Sequence, residues 1–267
     1  MLICFKFKGK TMKKLLLILA LLFVGANAKD DKTIIIGATP TPHGEIVAFT
    51  KPLFEKRGYK LVFKEFSDYI TPNIALNEGE LDANLYQHEP FLEDFNKNKG
   101  TKLVSIGSVV LVPMALYSNK IKKLEELKNG ALVAVPNDPT NESRSLELIE
   151  RAKLATFKNV AQKTPLDISQ NPKKLRFVEV EAAQVPRALA DVDLGAVTTN
   201  YALGAGLNPL KDGIFIEDKT SRYSIVVAVR KGDEKSEKSK LIMEILRSKE
   251  VAEFINKTYK GAVIPTF

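Results

Sequence analysis

Apolar residues recur along this chain in short runs that alternate with stretches of helical spacing. Runs at 34–36, 61–66 and 83–85 are followed by helical patterns at 46–54, 74–76 and 91–95. The same alternation continues through 115–118, 124–127, 132–135, 146–154, 175–180, 185–189 and 194–197. Near the end, 225–229 reads as a strand and 238–246 and 251–259 read as helices. Short strands alternating with helices predict an α/β protein whose largely parallel sheet is covered on both faces. Pro52, inside the first helical pattern, should kink or split that helix. Two uninterrupted apolar segments, 109–114 and 225–229, are natural crossing points between two lobes. One lobe is then built from both ends of the chain, 29–114 with 226–267, and the other from 115–225. Small dihedral changes in the two connecting strands would let such lobes close over a ligand.

The first 28 residues stand apart from this pattern. Met12-Lys13-Lys14 precedes ten apolar residues at 15–24, and Ala26-Asn27-Ala28 offers the small-x-small site that a signal peptidase cleaves. A run of that length is too short to span a bilayer. Residues 1–28 are therefore expected to be leader and signal peptide, with Met12 as the initiator. The formal charge of +8 changes meaning as a result: the leader holds five lysines and no acids, so removing it leaves +3. No stripe of Lys and Arg interleaved with aromatics runs through the rest, and a nucleic-acid partner is not expected. Cys4, the only cysteine, lies before the signal, which excludes disulfides, thiolate metal sites and a cysteine nucleophile from the exported part. The 239 residues that remain after 28 are taken from 267 suit two compact lobes or one large domain.

Candidate chemistry concentrates at Asn137-Asp138-Pro139-Thr140-Asn141-Glu142-Ser143-Arg144. A buried strand ending at Pro136, a turn rich in side-chain acceptors and a helix starting near Asn141 would point free N–H groups back into the turn, where an anion can sit. Arg144 in the first helical turn opposes the helix dipole, so a carboxylate would relieve it. That carboxylate could belong to a ligand, or to Glu142, Glu147 or an acid distant in sequence. Two histidines, His43 and His88, without a second ligand at helical spacing, argue against a metal site. Phosphate-loop, nucleophile-elbow and zinc-protease signatures are absent, so neither catalytic residues nor a cofactor are expected.

Read as a set, several segments resemble the methionine-binding lipoproteins, the substrate-binding subunits of methionine ABC importers. They are Gly37-Ala38-Thr39-Pro40 with Pro42-His43, Glu65-Phe66-Ser67-Asp68-Tyr69 with Pro72-Asn73, Tyr86-Gln87-His88-Glu89-Pro90-Phe91-Leu92, Asn137–Asn141 with Arg144, Asn200-Tyr201-Ala202-Leu203 and Gly261-Ala262-Val263. The resemblance implies a two-lobed type II periplasmic-binding-protein fold, with two mixed or parallel sheets flanked by helices and two hinge crossovers. It implies a periplasmic protein that binds methionine, a related amino acid or a methionyl dipeptide without turnover, and delivers it as a monomer to a membrane ABC importer permease. It also places a ligand among Tyr69, Tyr86, His88, Phe91, Asn141, Arg144 and Asn200, with Arg144 on the carboxylate and Asn200 on the amino-acid head. Without the resemblance, Asn200 reads as a helix cap, His88 as a satisfied surface or core residue, and either tyrosine as ordinary packing.

Three departures qualify the likeness. No lipid-bearing cysteine follows the signal, with Lys29 in its place, so a soluble protein free in the periplasm is expected rather than a lipid-anchored one. Tyr223-Ser224-Ile225 lacks the asparagine found two places after the tyrosine, so that head-group contact is lost or passes to Ser224. Ser143 stands where the family has glycine and could narrow the approach to the helix. An enzyme of the same fold would need a nucleophile–base pair, and an adhesin would need an apolar or repetitive surface; the sequence offers neither.

Overall fold

Ile34 and Ile36 are both fully buried, as expected of β-branched residues at alternate positions on the covered face of a pleated strand. The computed structural model describes residues 32–267 and sets this strand, β1 (Thr33–Ala38), into the first of two main sheets. The strands that follow are β2 (Lys60–Glu65), β3 (Ala83–His88), β4 (Leu103–Leu111), β5 (Met114–Tyr117), β6 (Leu132–Pro136), β7 (Thr156–Phe157), β8 (Ile168–Gln170) and β9 (Arg176–Val180). After them come β10 (Leu194–Thr198), β11 (Phe215–Ile216), β12 (Ser224–Arg230) and β13 (Ile264–Pro265). One sheet has the order β13-β4-β12-β3-β1-β2 and the other β11-β5-β10-β6-β9. The expected signal peptide and leader lie outside the described residues.

Strand β3 is buried at every position because helices cover both its faces. On one side Ala75, Leu76 and Leu92 pack with Leu81, Leu103 and Val226. On the other, Ile46, Val47, Phe54, Ile242, Ile245, Val251 and Ile255 form the larger core. The second sheet is covered in the same way, by Leu146, Leu148 and Ile149 on one face and by Val185, Leu189 and Ala202 on the other.

Both sheets are mixed. Strands β1 and β3 pair in parallel, as do β6 with β9 and β6 with β10. Strand β12 runs antiparallel to β3 and β4, and β5 runs antiparallel to β10. The exceptions to parallel pairing follow from the chain path: β4 leads out of the first sheet and β12 leads back in, so the two run in opposite directions. The chain passes to the second sheet through 112–113 and returns through 217–223. Met114 already belongs to β5, and Ser224 and Ile225 already belong to β12, so 225–229 lies wholly within the first sheet.

Pro52 splits the first helical pattern as its chemistry requires. Helices Glu45–Phe49 and Lys51–Lys56 meet at Thr50, with Pro52 in the first turn of the second. The helix expected from Asn141 instead covers Pro139–Arg151. Its start is earlier because Asp138 caps it and Pro139 occupies the first helical position, where no N–H is needed. The small β7–β8 hairpin was not foreseen; its strands, two and three residues long, are too short for a period to register.

Candidate functional site

All seven residues singled out above line one cavity between the two sheets, the kind of concave site at which small molecules bind. Tyr69, Tyr86, His88 and Phe91 come from the first-sheet side, and Asn141, Arg144 and Asn200 from the second. His43, Gln87, Val112, Thr198 and Ile225 complete the lining. Most of these positions sit at strand C-ends and helix N-termini, where α/β sheets place their ligands, whereas Ile225 lies at the start of β12 and Tyr69 in the connection before helix Thr71–Asn77.

Each side chain is set by its element. His88 ends β3 and caps helix Glu89–Lys99, with Nδ1 accepting the Phe91 N–H at 3.2 Å. Because Nδ1 is an acceptor, the ring proton lies on Nε2, which donates to Asn141 Oδ1 at 3.1 Å across the cleft. Burial, and after it the Arg144 charge, pull the His88 pKa down to about 3, so the ring is neutral. Tyr69 donates to Asn200 Oδ1 at 2.7 Å, which leaves the Thr198 hydroxyl to donate to Tyr69 at 3.0 Å. Tyr86 donates to the Tyr69 carbonyl at 2.8 Å. The rings of Tyr69, Tyr86 and Phe91 stand 5.9–6.2 Å apart, two of the three contacts edge-on, and make an apolar wall. Asn200 lies inside helix Thr199–Gly204 rather than capping it, since Thr198 is the cap position.

Arg144 is 2 % exposed and already paired. Its Nε and Nη2 form a two-pronged bridge to Glu217 at 3.0 and 2.5 Å, and Nη2 also donates to the Val112 carbonyl at 3.0 Å. The guanidinium also lies over the Tyr223 ring, 4.7 Å from its centre. Burial would raise the Glu217 pKa, but the Arg144 charge, the bonds from Arg144 and the Met114 N–H hold it below the ordinary carboxylate value. The acid distant in sequence is therefore Glu217, and the fork expected to grip a ligand is occupied by it. Among the described residues Arg144 Nη1 has no hydrogen-bond partner, and this edge remains for an anion in the cavity.

The N-terminus of helix Pro139–Arg151 is also not as expected. Asp138 accepts the Asn141 N–H at 2.9 Å and holds the Asn141 side-chain amide through both carboxylate oxygens. The protein's own carboxylate thus occupies the anion position at this helix end. Ser143 does not face the cavity: its hydroxyl accepts the Lys163 N–H at 2.9 Å. Ser224 does not line the cavity either, because alternation along β12 places Ile225 there. Glu217 was missed because it follows a two-residue strand and lies 73 positions from its partner.

Glu142, next to the site, is buried with Oε1 unpartnered. Burial, then the Glu179 carboxylate, raise its pKa to about 7. A carboxyl whose folded pKa exceeds its unfolded one supports the fold fully below the unfolded value near 4.5, and loses that support as pH rises through about 7. Glu142→Gln should therefore melt close to wild type at pH 5 and about 2–4 °C higher at pH 8, equivalent to roughly 1 kcal/mol after solvent screening of Glu179. Equal melting of the two proteins at pH 8 would show that folding does not raise the Glu142 pKa. Among the described residues, no cluster of three or more His, Cys, Asp or Glu is placed to hold a metal ion, and no helix is long and apolar enough to cross a membrane.

Comparison with known proteins adds a family to this geometry. Residues 34–267 match the model of the NlpA lipoprotein family. The D-methionine-binding lipoprotein MetQ of Salmonella typhi is 41% identical over 251 residues, 92% of this chain and 93% of that protein. A nutrient binding protein from Burkholderia cenocepacia, solved bound to methionine, superposes with a TM-score of 0.85 at 42% identity, covering 88% of this chain and 100% of its own. A periplasmic substrate-binding protein of an ABC transporter from Coxiella burnetii gives 0.84 at 42% identity, over 87% and 100% of the two chains. The expectation of a freely soluble periplasmic protein is corrected by these matches. The family and its curated relative are lipoproteins, proteins held at a membrane by a lipid, and the missing cysteine after residue 28 does not outweigh that.

Proposed function

The chain belongs to the NlpA lipoprotein family, and from that premise we propose that it is the substrate-binding component of an ABC importer for methionine or a closely related amino acid or methionyl dipeptide. It binds and releases its ligand without turnover. The observation that carries this reading is a cavity in which residues from both sheets converge and which is lined by a buried arginine with one free edge and by an aromatic wall. The α-carboxylate takes Arg144 Nη1, the head group lies near Asn141 and Asn200, and the thioether packs against Tyr69, Tyr86 and Phe91. Sulfur–aromatic contacts of this kind contribute roughly 0.3–1.5 kcal/mol each.

Lobes 29–114 with 226–267 and 115–225 open about the connections at 112–113 and 217–223 to admit the ligand. Several bonds cross the cleft directly, Tyr69 to Asn200, His88 to Asn141 and the Tyr201 hydroxyl to the Ser67 carbonyl, and opening must break them. Methionine has about nine non-hydrogen atoms, so a ceiling of about 1.5 kcal/mol per atom barely exceeds the roughly 12.3 kcal/mol of nanomolar binding. Nearly every atom must be engaged, which requires closure. The receptor acts as a monomer that docks on a membrane ABC permease.

Thermal melting against a panel of amino acids and methionyl dipeptides tests the function. At 100 times the dissociation constant a ligand stabilises by about 2.7 kcal/mol, which raises the melting temperature by roughly 5–10 °C. Methionine or a methionyl dipeptide should produce that rise and be recovered chemically unchanged. A panel in which no member moves the melting temperature by more than about 1 °C would overturn the reading.

A further inference from the structure

Strand β3 breaks its side-chain alternation at one place. The consecutive residues Val226 and Val227 of β12 lie opposite Gln87 and Leu85, so Tyr86 is an extra residue in the ladder and forms a bulge. Residues directly opposite each other in a ladder share a face of the sheet. Leu85 and His88 therefore lie on the side of Val227 and Ile225, which belong to the larger core. Asn84 and Gln87 lie on the side of Ala228 and Val226, under helix Thr71–Asn77. Three positions apart, these two amides would face opposite ways in an unbroken strand, and the bulge brings them together.

They meet Asn73 from that helix in a closed cluster. All three residues are buried. Gln87 Nε2 donates to Asn84 Oδ1 at 3.0 Å, across the bulge, and to Asn73 Oδ1 at 2.7 Å, while Asn73 Nδ2 donates back to Gln87 Oε1 at 2.8 Å. Asn84 Nδ2 donates to Asn73 Oδ1 at 2.8 Å and to the Pro72 carbonyl at 3.3 Å. These bonds select the bulged register. Without the bulge Gln87 would turn to the apolar side of Leu85 and lose its partners, and His88 would turn to the opposite face from the one it now occupies. His88 lines the cavity and donates to Asn141 across the cleft, whereas Asn73 and Asn84 do not line it.

Resting on the receptor reading above, we propose that Asn73 and Asn84 are positioning residues for the ligand site: through Gln87 they hold the bulge at Tyr86, and the bulge turns His88 toward Asn141 of the other lobe. Both act on the ligand through His88 and touch nothing in the cavity themselves.

Calorimetry with L-methionine on wild type, Asn73→Leu and the milder Asn84→Ser tests this, at a temperature where each variant is folded. Each should bind about three- to tenfold more weakly, the worth of one hydrogen bond. In a His88→Ala background, Asn73→Leu should change the affinity less than twofold, because the residue through which it acts is gone. The same fold-loss in both backgrounds would overturn the proposal, since a merely structural asparagine acts without regard to His88. Ring-nitrogen NMR gives a reading without ligand, because the chain has two histidines and His88→Ala identifies the signals of one. Asn73→Leu and Asn84→Ser should move the His88 signals and leave those of His43 in place. Unmoved His88 signals in both variants would overturn the proposal while leaving the receptor reading intact. Absence of binding by methionine and by the wider panel would overturn the receptor reading, and the His88 signals would still decide whether the asparagines hold the bulge.

Discussion

Replacing Arg144 with alanine should cost both stability and ligand affinity, and Arg144→Lys should separate the two. In the alanine variant Glu217, buried with Arg144, loses its counter-charge and keeps only hydrogen bonds. Removing one partner of a buried ion pair typically destabilises by about 3–5 kcal/mol, so the melting temperature should fall by roughly 6–20 °C. The same change removes the Nη1 edge assigned to the ligand carboxylate, at a further cost of about 2–5 kcal/mol in binding, or roughly 30-fold to several-thousand-fold. Lysine restores a positive charge beside Glu217 but lacks a second edge. Arg144→Lys should therefore melt much closer to wild type than Arg144→Ala does, yet still bind its ligand at least tenfold more weakly than wild type. If folded Arg144→Ala binds within threefold of wild type, this arginine serves only its bridge to Glu217 and is not part of the ligand site.

Much of this site was legible because its residues sit where one kind of local pattern gives way to another. Tyr86 and His88 end an apolar run, Asn141 and Arg144 open an amphipathic helix, and Asn200 follows another apolar run, so each was placed at an element boundary before any coordinate was known. What could not be read was which donors were already taken. The Asp138 cap follows from its own helix and was the nearest to being readable, yet the helix N-terminus had been assigned to a ligand. Glu217, by contrast, reaches Arg144 through a return crossing that no local period marks, and only the path of the chain between sheets brings them together. Thr39 and His43 form a pair at i and i+4, the first capping and the second inside a Pro-rich π-helical turn, Pro40–Gly44, that is kinked at Thr41, so no regular spacing tells whether a side chain faces inward. The two crossings were misjudged in extent for a related reason: an apolar run identifies a buried segment but not which sheet it joins.

Glu217→Gln should weaken the empty protein and at the same time strengthen its response to ligand. The amide cannot neutralise Arg144, and its NH2 group must face a donor, either the guanidinium or the Met114 N–H that now bonds to Oε2. A loss of about 3–5 kcal/mol is expected without ligand, visible as a melting temperature lowered by roughly 6–20 °C. A ligand carboxylate at Nη1 would supply the missing counter-charge. In wild type that carboxylate also feels Glu217 across the guanidinium, at a separation on the order of 6 Å, which at an effective dielectric near 20 amounts to about 2–3 kcal/mol of repulsion. Against this, freeing one arginine side chain costs about 0.5–1.5 kcal/mol of ordering on binding. That cost stays small because the Val112 carbonyl and the Tyr223 ring continue to hold the guanidinium. Relief of repulsion is the larger effect, so the ligand should bind Glu217→Gln several-fold more tightly than wild type and raise its melting temperature by more. A smaller ligand-induced rise than in wild type would mean that the ligand's carboxylate does not reach Arg144.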